Sequence, residues 1–188
     1  MKIIDKTLQG LDVVSLRLVW FGGALMILAA IMVTVDVILR KFFGVSMAGS
    51  DELTGYAFGI ATSLSLTYAL LHRSNIRIDA LYQHLPRWLR GILDIVGTVF
   101  LVTFVAYVAW RASLLVADTI SNQSQSITPL RVPLAIPQTP WLIGLWLFVV
   151  TGVILTISSL ISLLKRDWAK LQALVGIKSL DEVIEEES

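Results

Sequence analysis

The chain has 188 residues, of which 56% are hydrophobic and 15% charged, and its formal net charge is +1. This composition is too apolar for a soluble domain with an ordinary surface, and a net charge so close to zero gives no support to nucleic-acid binding. The absence of cysteine excludes disulfides, thiolate metal sites and iron–sulfur clusters.

The first predicted element is an N-terminal arm, residues 1–17. It lacks the small-residue cleavage site of a signal peptide and contains Asp5 and Asp12, so we expect it to be retained. Its apolar residues recur near one helical face. This pattern predicts a helix that lies on the membrane surface before the chain turns into the bilayer.

Four long apolar stretches follow the arm. At about 1.5 Å per helical residue, each can extend about 28 Å or more and cross a hydrocarbon layer of about 30 Å once. We therefore predict an all-α integral membrane protein with four transmembrane helices in a membrane domain, residues 18–164. The predicted spans are residues 18–39, 53–71, 92–116 and 141–164.

The loops differ in character. The first is a short glycine-containing turn, after which Asp51 and Glu52 lie in the first turn of a helix and favour its N-terminus electrostatically. The second alternates apolar and basic residues at helical spacing, which predicts an amphipathic interfacial helix. The third, residues 118–138, has prolines at intervals of four, so we expect an extended strap.

Lysine and arginine are distributed unevenly among these segments. Most of them lie in the arm, the second loop and the tail, residues 165–188, whereas the first and third loops contain only Arg40, Lys41 and Arg131. The positive-inside rule therefore predicts that both termini are cytoplasmic.

The second span contains a stripe of small residues. Gly55, Gly59 and Ser63 follow one another at intervals of four, so another helix backbone can approach closely there. The sequence leaves two explanations open: packing among the chain's own helices, or docking on another membrane protein.

Two charged residues, Asp36 and Arg111, lie within apolar sequence and need partners, since an unpaired ion in the membrane is costly. They fall at similar depth, and we predict an intramembrane ion pair between them. In the alternative, Asp36 pairs with Arg40 four residues later and Arg111 extends outward. Either arrangement favours a structural tie over a proton relay, because no series of ionisable groups crosses the membrane.

No pattern indicates catalysis. His72 and His84 are the only histidines and show no metal-ligand spacing, and no phosphate loop or nucleophile motif appears. We therefore predict no catalytic residue, cofactor or metal, and no enzyme activity. Two other classes stay open: a self-contained, oligomeric channel or carrier, for which Thr62, Ser65 and Thr67 offer few polar positions, and a membrane enzyme or assembly factor.

Two motifs at the ends of the second span resemble a known family. Ser-Asp-Glu-Leu-Thr-Gly-Tyr (residues 50–56) and Leu-His-Arg-Ser-Asn-Ile-Arg-Ile-Asp (residues 71–79) are similar to the small membrane subunit, DctQ type, of tripartite ATP-independent periplasmic (TRAP) transporters. Thr-Pro-Leu-Arg-Val-Pro (residues 128–133) also resembles that family's segment before its last helix. The likeness covers nearly the whole chain.

The resemblance implies a non-catalytic scaffold subunit in a bacterial inner membrane. Such a subunit clasps a large membrane subunit that imports an organic acid with sodium, while a periplasmic protein captures the substrate. By this resemblance, Asp51 and Glu52 would help hold the outer end of the second helix or meet a partner, against the alternative that they only favour the helix N-terminus. The inner turn would be anchored through lipid headgroups, internal ion pairs or the large subunit by His72, Arg73, Arg77 and Asp79. For Arg73 and Arg77, the alternative is that they only set the topology. Candidates for contact with the binding protein, against the alternative of a solvated loop, are Gln125, Ser126 and Arg131.

Overall fold

A computed structural model describes residues 2–74 and 85–176. Its named elements are all helices, which confirms the predicted all-α fold class: α1 (Lys2–Phe43), α2 (Ser50–Leu71), α3 (Arg87–Ser121), α4 (Ala135–Leu164) and α5 (Trp168–Val175). Among the described residues, α1, α3 and α4 are long and apolar enough to cross a membrane. α2 has 22 residues, but Gly, Ser and Thr interrupt its apolar residues.

α1 is one continuous helix of 42 residues, about 63 Å long. The predicted turn between residues 1–17 and the first span is therefore wrong, because the helix continues through this point. The physical reason is a buried seam that recurs every seven residues along the whole helix, the spacing at which two helices pack side by side. The seam consists of Leu8, Ser15, Gly22, Ala29 and Asp36.

The four long helices form a row in the order α1, α2, α4, α3. α2 packs on α1 along one side and on α4 along the other, while α3 packs on α4. Small residues allow these close approaches: a Cβ added to Gly22 would lie 3.1 Å from the Cα of Ala61, and one added to Gly144 would lie 2.7 Å from the Ser63 carbonyl carbon. The buried apolar core lies mainly between α3 and α4, with further residues from α5 and Leu70 of α2.

α5 was not predicted, because residues 165–188 were treated as a tail. It packs against α4 and α3, with Leu171 and Val175 almost fully buried. The Asp167 side chain caps its first turn by accepting a hydrogen bond from the Lys170 backbone N–H at 3.1 Å. Residues 177–188 lie outside the described residues, as do residues 75–84, on which most of the predicted interfacial helix falls.

The third loop is shorter than predicted. α3 continues to Ser121 and α4 begins at Ala135, so Pro137 lies in the first turn of a helix rather than in the strap. A proline is tolerated there because the first backbone N–H groups of a helix have no partner within it. Between the helices, residues 122–134 form a narrow loop in which the Ser126 N–H donates to the Val132 carbonyl oxygen at 2.9 Å.

Candidate partner-binding surface

A buried carboxylate organises the end of the row at which α1 joins α2, the end that the sequence predicts to be outside. Asp36 is 1% exposed and accepts hydrogen bonds from the Arg40 guanidinium, the Met47 backbone N–H at 2.5 Å and the Ser50 hydroxyl at 2.9 Å. We call these four residues the outer polar cluster. They fix the turn between α1 and α2, so the end of one helix sets the start of the next.

The predicted ion pair between Asp36 and Arg111 is wrong. Asp36 pairs with Arg40, as in the alternative, and Arg111 is exposed on α3. Two residues at a similar depth in the membrane need not be on neighbouring helices, and α1 and α3 lie at opposite ends of the row.

The turn between α1 and α2 is joined to the loop between α3 and α4. Gly49 has a φ of +93°, and a Cβ there would lie 2.2 Å from the Leu130 Cδ1, so only glycine fits. The Glu52 carboxylate accepts hydrogen bonds from the hydroxyls of Thr128 and Tyr56. The Thr128 bond, and then the Tyr56 bond, hold the pKa of Glu52 below its ordinary value. Glu52 therefore ties α2 to the strap, whereas Asp51 is exposed.

The three strap candidates divide into internal and exposed positions. The Ser126 hydroxyl accepts from the Val132 N–H at 3.1 Å and lies 3.0 Å from the Thr128 hydroxyl, so it holds the loop together. Gln125 and Arg131 are exposed. Ile127, which no sequence pattern singled out, is the most exposed large apolar residue of the described chain.

The small-residue stripe on α2 also divides. Ser63 is buried against Gly144 of α4, but a Cβ added to Gly55 or Gly59 would meet nothing within 4 Å. These two glycines line a groove of about 200 Å³ between α2 and α4. The remaining lining residues are Tyr56, Ile60, Leu134, Pro137, Gln138 and Trp141.

A second groove, of about 460 Å³, lies between α2 and α1. Gly22, Gly23 and Met26 line it from α1, and Phe58 and Thr62 are among those that line it from α2. At about 100° per residue, Gly55 and Thr62 lie close together around α2, so both grooves open on one side of that helix. We call this side, with its two grooves, the α2 face.

Of the three candidate channel hydroxyls on α2, Thr62 and Ser65 line the groove between α1 and α2, whereas Thr67 does not. Thr62 is exposed, the Ser65 hydroxyl donates to the Ala61 carbonyl oxygen at 2.8 Å, and Thr67 is fully buried. In the part of the chain that the structure describes, these residues therefore offer no continuous polar path of the kind a channel needs.

At the opposite end of α2, which the sequence predicts to be cytoplasmic, His72 and Arg73 make internal ties. The His72 Nε2 lies 2.9 Å from Asp12 Oδ1 on α1, and the Arg73 guanidinium donates to the Gln172 carbonyl oxygen on α5 at 3.2 Å. The other two predicted anchors, Arg77 and Asp79, lie outside the described residues.

A further inner tie joins α5 to α1. The Lys170 ammonium donates to the Asp5 carboxylate at 2.8 Å. No sequence pattern indicates this contact, because its partners are far apart in the chain. Within residues 2–74 and 85–176, no three or more His, Cys, Asp or Glu side chains come together to hold a metal ion.

One comparison with known proteins identifies a family. Residues 29–166 match the family described as tripartite ATP-independent periplasmic transporters, DctQ component. Among curated proteins, none matches this chain. The matched region contains the outer polar cluster, all of α2, and α3 and α4. The chain therefore belongs to the DctQ family: it is the small membrane subunit of a TRAP transporter and not an enzyme.

Proposed function

We propose that this chain is the scaffold subunit of a sodium-coupled TRAP transporter that imports an organic acid. In this role it clasps the large permease subunit and helps dock the periplasmic binding protein. The observation that carries the proposal is the α2 face, where Gly55 and Gly59 leave open space for another helix.

The α2 face suits a transmembrane helix. Glycines spaced by four residues allow two helix backbones to approach closely, and in lipid such packing is the main attraction between helices. The outer polar cluster and the His72–Asp12 contact hold α2 against α1. The face is thus preformed, and little ordering is needed when a partner binds.

In this arrangement the large subunit binds the α2 face, and the binding protein contacts the outer end of the row. Gln125, Ile127 and Arg131 are exposed around the strap, which the hydrogen bonds to Glu52 hold over the start of α2. A periplasmic partner that also contacts the large subunit would reach both surfaces here. Tagged small subunit should copurify with the large subunit in mild detergent, and repeated failure to retain it would contradict the clasp.

The proposed topology has four transmembrane helices, both termini in the cytoplasm and an interfacial helix in the second loop. α2 is about 33 Å long and lies between α1 and α4, which are both candidate spans. A helix in this position crosses with its neighbours, because Ser63 and Thr67 are buried and the Ser65 hydroxyl donates to the Ala61 carbonyl oxygen. The membrane is then the bacterial inner membrane, with the strap outside.

The chain contains no cysteine, so single cysteines can report the topology without background. A membrane-impermeant maleimide added to whole cells with a permeable outer membrane should label Val45→Cys and Asn122→Cys. Ser74→Cys should be labelled only after lysis, because it follows α2 on the cytoplasmic side. All three positions are exposed, so the side of the membrane, and not burial within the protein, determines whether a cysteine is labelled. Equal labelling of Ser74→Cys in whole cells would contradict four spans.

A further inference from the structure

α3 forms one end of the row and has two contrasting faces. Ala109 and Ala112 are buried against the neighbouring helices, at 0% and 4% exposure. On the opposite side, Phe104 and Tyr107 are 65% and 58% exposed, and Arg111 follows one turn later. This aromatic face points away from the rest of the described chain.

Arg111 is a cation on that outward face. No ion pair or hydrogen bond of its side chain occurs within the described residues. A guanidinium inside apolar sequence needs an anion or a route to the membrane surface. The nearby Tyr107 hydroxyl and Trp110 indole N–H likewise have no hydrogen-bond acceptor in the described residues, whereas the Trp146 indole donates to the Ser113 hydroxyl at 3.0 Å.

The spacing along α3 places Arg111 at a membrane boundary. Trp88 at the inner end and Trp110 are 55% and 52% exposed, and Tyr107 and Trp110 have ring centroids 6.0 Å apart. Exposed tryptophan and tyrosine concentrate at the two interfaces of a bilayer. Arg90 and Arg111 are about 32 Å apart along the helix, which matches a hydrocarbon layer of about 30 Å at a tilt of about 20°.

We propose that Arg111, with Tyr107 and Trp110, binds the phosphate of an outer-leaflet phospholipid and prefers a headgroup of net negative charge. The planar guanidinium presents paired N–H donors that match two phosphate oxygens. The phenol and indole lie at the level of the same headgroup and supply further donors. The site fixes the depth at which the end of the row sits in the membrane. Only the naming of the leaflet rests on the proposed topology.

A lipid fits this face better than the carboxylate of a protein partner does. A partner helix approaches closely where residues are small, as on the α2 face, whereas α3 presents bulky aromatic rings. The exposed residues Trp88 and Trp110 also lie about 33 Å apart along α3, which is the separation expected for contact with lipid at both interfaces.

Native mass spectrometry of the full chain, released from micelles containing equal phosphatidylglycerol and phosphatidylcholine, tests the site. Wild type should retain phosphatidylglycerol in preference to phosphatidylcholine. Arg111→Gln should reduce that retention at least fivefold. The matched control is Arg131→Gln, which removes an exposed outer arginine from the strap and should behave as wild type.

Equal phosphatidylglycerol retention by Arg111→Gln and wild type would overturn the proposal. So would a variant that keeps the lipid but loses a copurifying large subunit, because a protein carboxylate would then be the partner. If Arg111→Gln does not fold, Arg111→Lys keeps the charge without the paired donors and should reduce the preference about threefold; an unchanged preference would refute the site. The lipid-retention readings require only the chain and lipid, so they stand apart from the clasp; the large-subunit reading comes from a separate purification of the complex.

Discussion

Replacing Gly59 with leucine should remove the large subunit from the purified complex while leaving the small subunit folded. A Cβ at Gly59 meets nothing within 4 Å in the chain, so the new side chain has room in the isolated subunit. In the complex, the same side chain would fill the groove that a partner helix occupies, and close backbone approach would be lost. We expect at least a tenfold loss of copurified large subunit, measured from the ratio of the two subunits after affinity purification.

Two glycine controls separate docking from folding. Gly97→Leu adds the same side chain at another open, exposed position, on α3, and should leave the subunit ratio unchanged. Gly144→Leu should lower the yield of the small subunit itself, because a Cβ there lies 2.7 Å from the Ser63 backbone. If Gly59→Leu copurified with the large subunit as wild type does, the α2 face would not be the docking surface.

Asp36→Ala should destabilise the small subunit and lower its apparent melting temperature by about 5 °C or more. The substitution leaves the Met47 N–H and the Ser50 hydroxyl without their acceptor in a buried site, and unmet donors are more costly than the loss of one bond. The turn between α1 and α2 would lose its fixed shape, and the strap that rests on Gly49 would follow. Thermal unfolding of the purified subunit in detergent measures the effect.

Asp51→Ala is the matched control, because this carboxylate lies in the first turn of α2 but is exposed. It should shift the melting temperature little. Arg40→Gln should have an intermediate effect, since the Arg40 side chain is 52% exposed and water can replace part of its interaction. A melting temperature for Asp36→Ala equal to that of wild type would show that the outer polar cluster is not a structural tie.

The sequence predicted the all-α fold and placed the bounds of the long helices to within six residues except at the start of α1, because helix length and apolar composition are set locally. α2 was expected over residues 53–71 and occupies Ser50–Leu71, while α4 begins six residues earlier than expected. The continuity of α1 could also have been predicted from the sequence. Its buried residues recur every seven positions, but the apolar residues near one face of residues 1–17 were interpreted as a helix on the membrane surface.

Contacts between distant segments could not be predicted in the same way. Gly55, Gly59 and Ser63 were treated as one stripe, yet each interval of four turns the direction by about 40°, so the stripe rotates from the open groove into the contact with α4. The Asp36 site depends on a backbone N–H of the turn, at Met47, which no side-chain pattern reveals. The Lys170–Asp5 contact joins the two ends of the chain.

The most direct test of the scaffold role is solute flux in vesicles. The small subunit alone, the large subunit with the binding protein, and the complete set are each reconstituted with an inward sodium gradient, and uptake of a radiolabelled organic acid is measured. Our account predicts no flux above empty vesicles for the small subunit alone and full uptake only with all three proteins. Uptake by the small subunit alone, or undiminished uptake without it, would contradict the account.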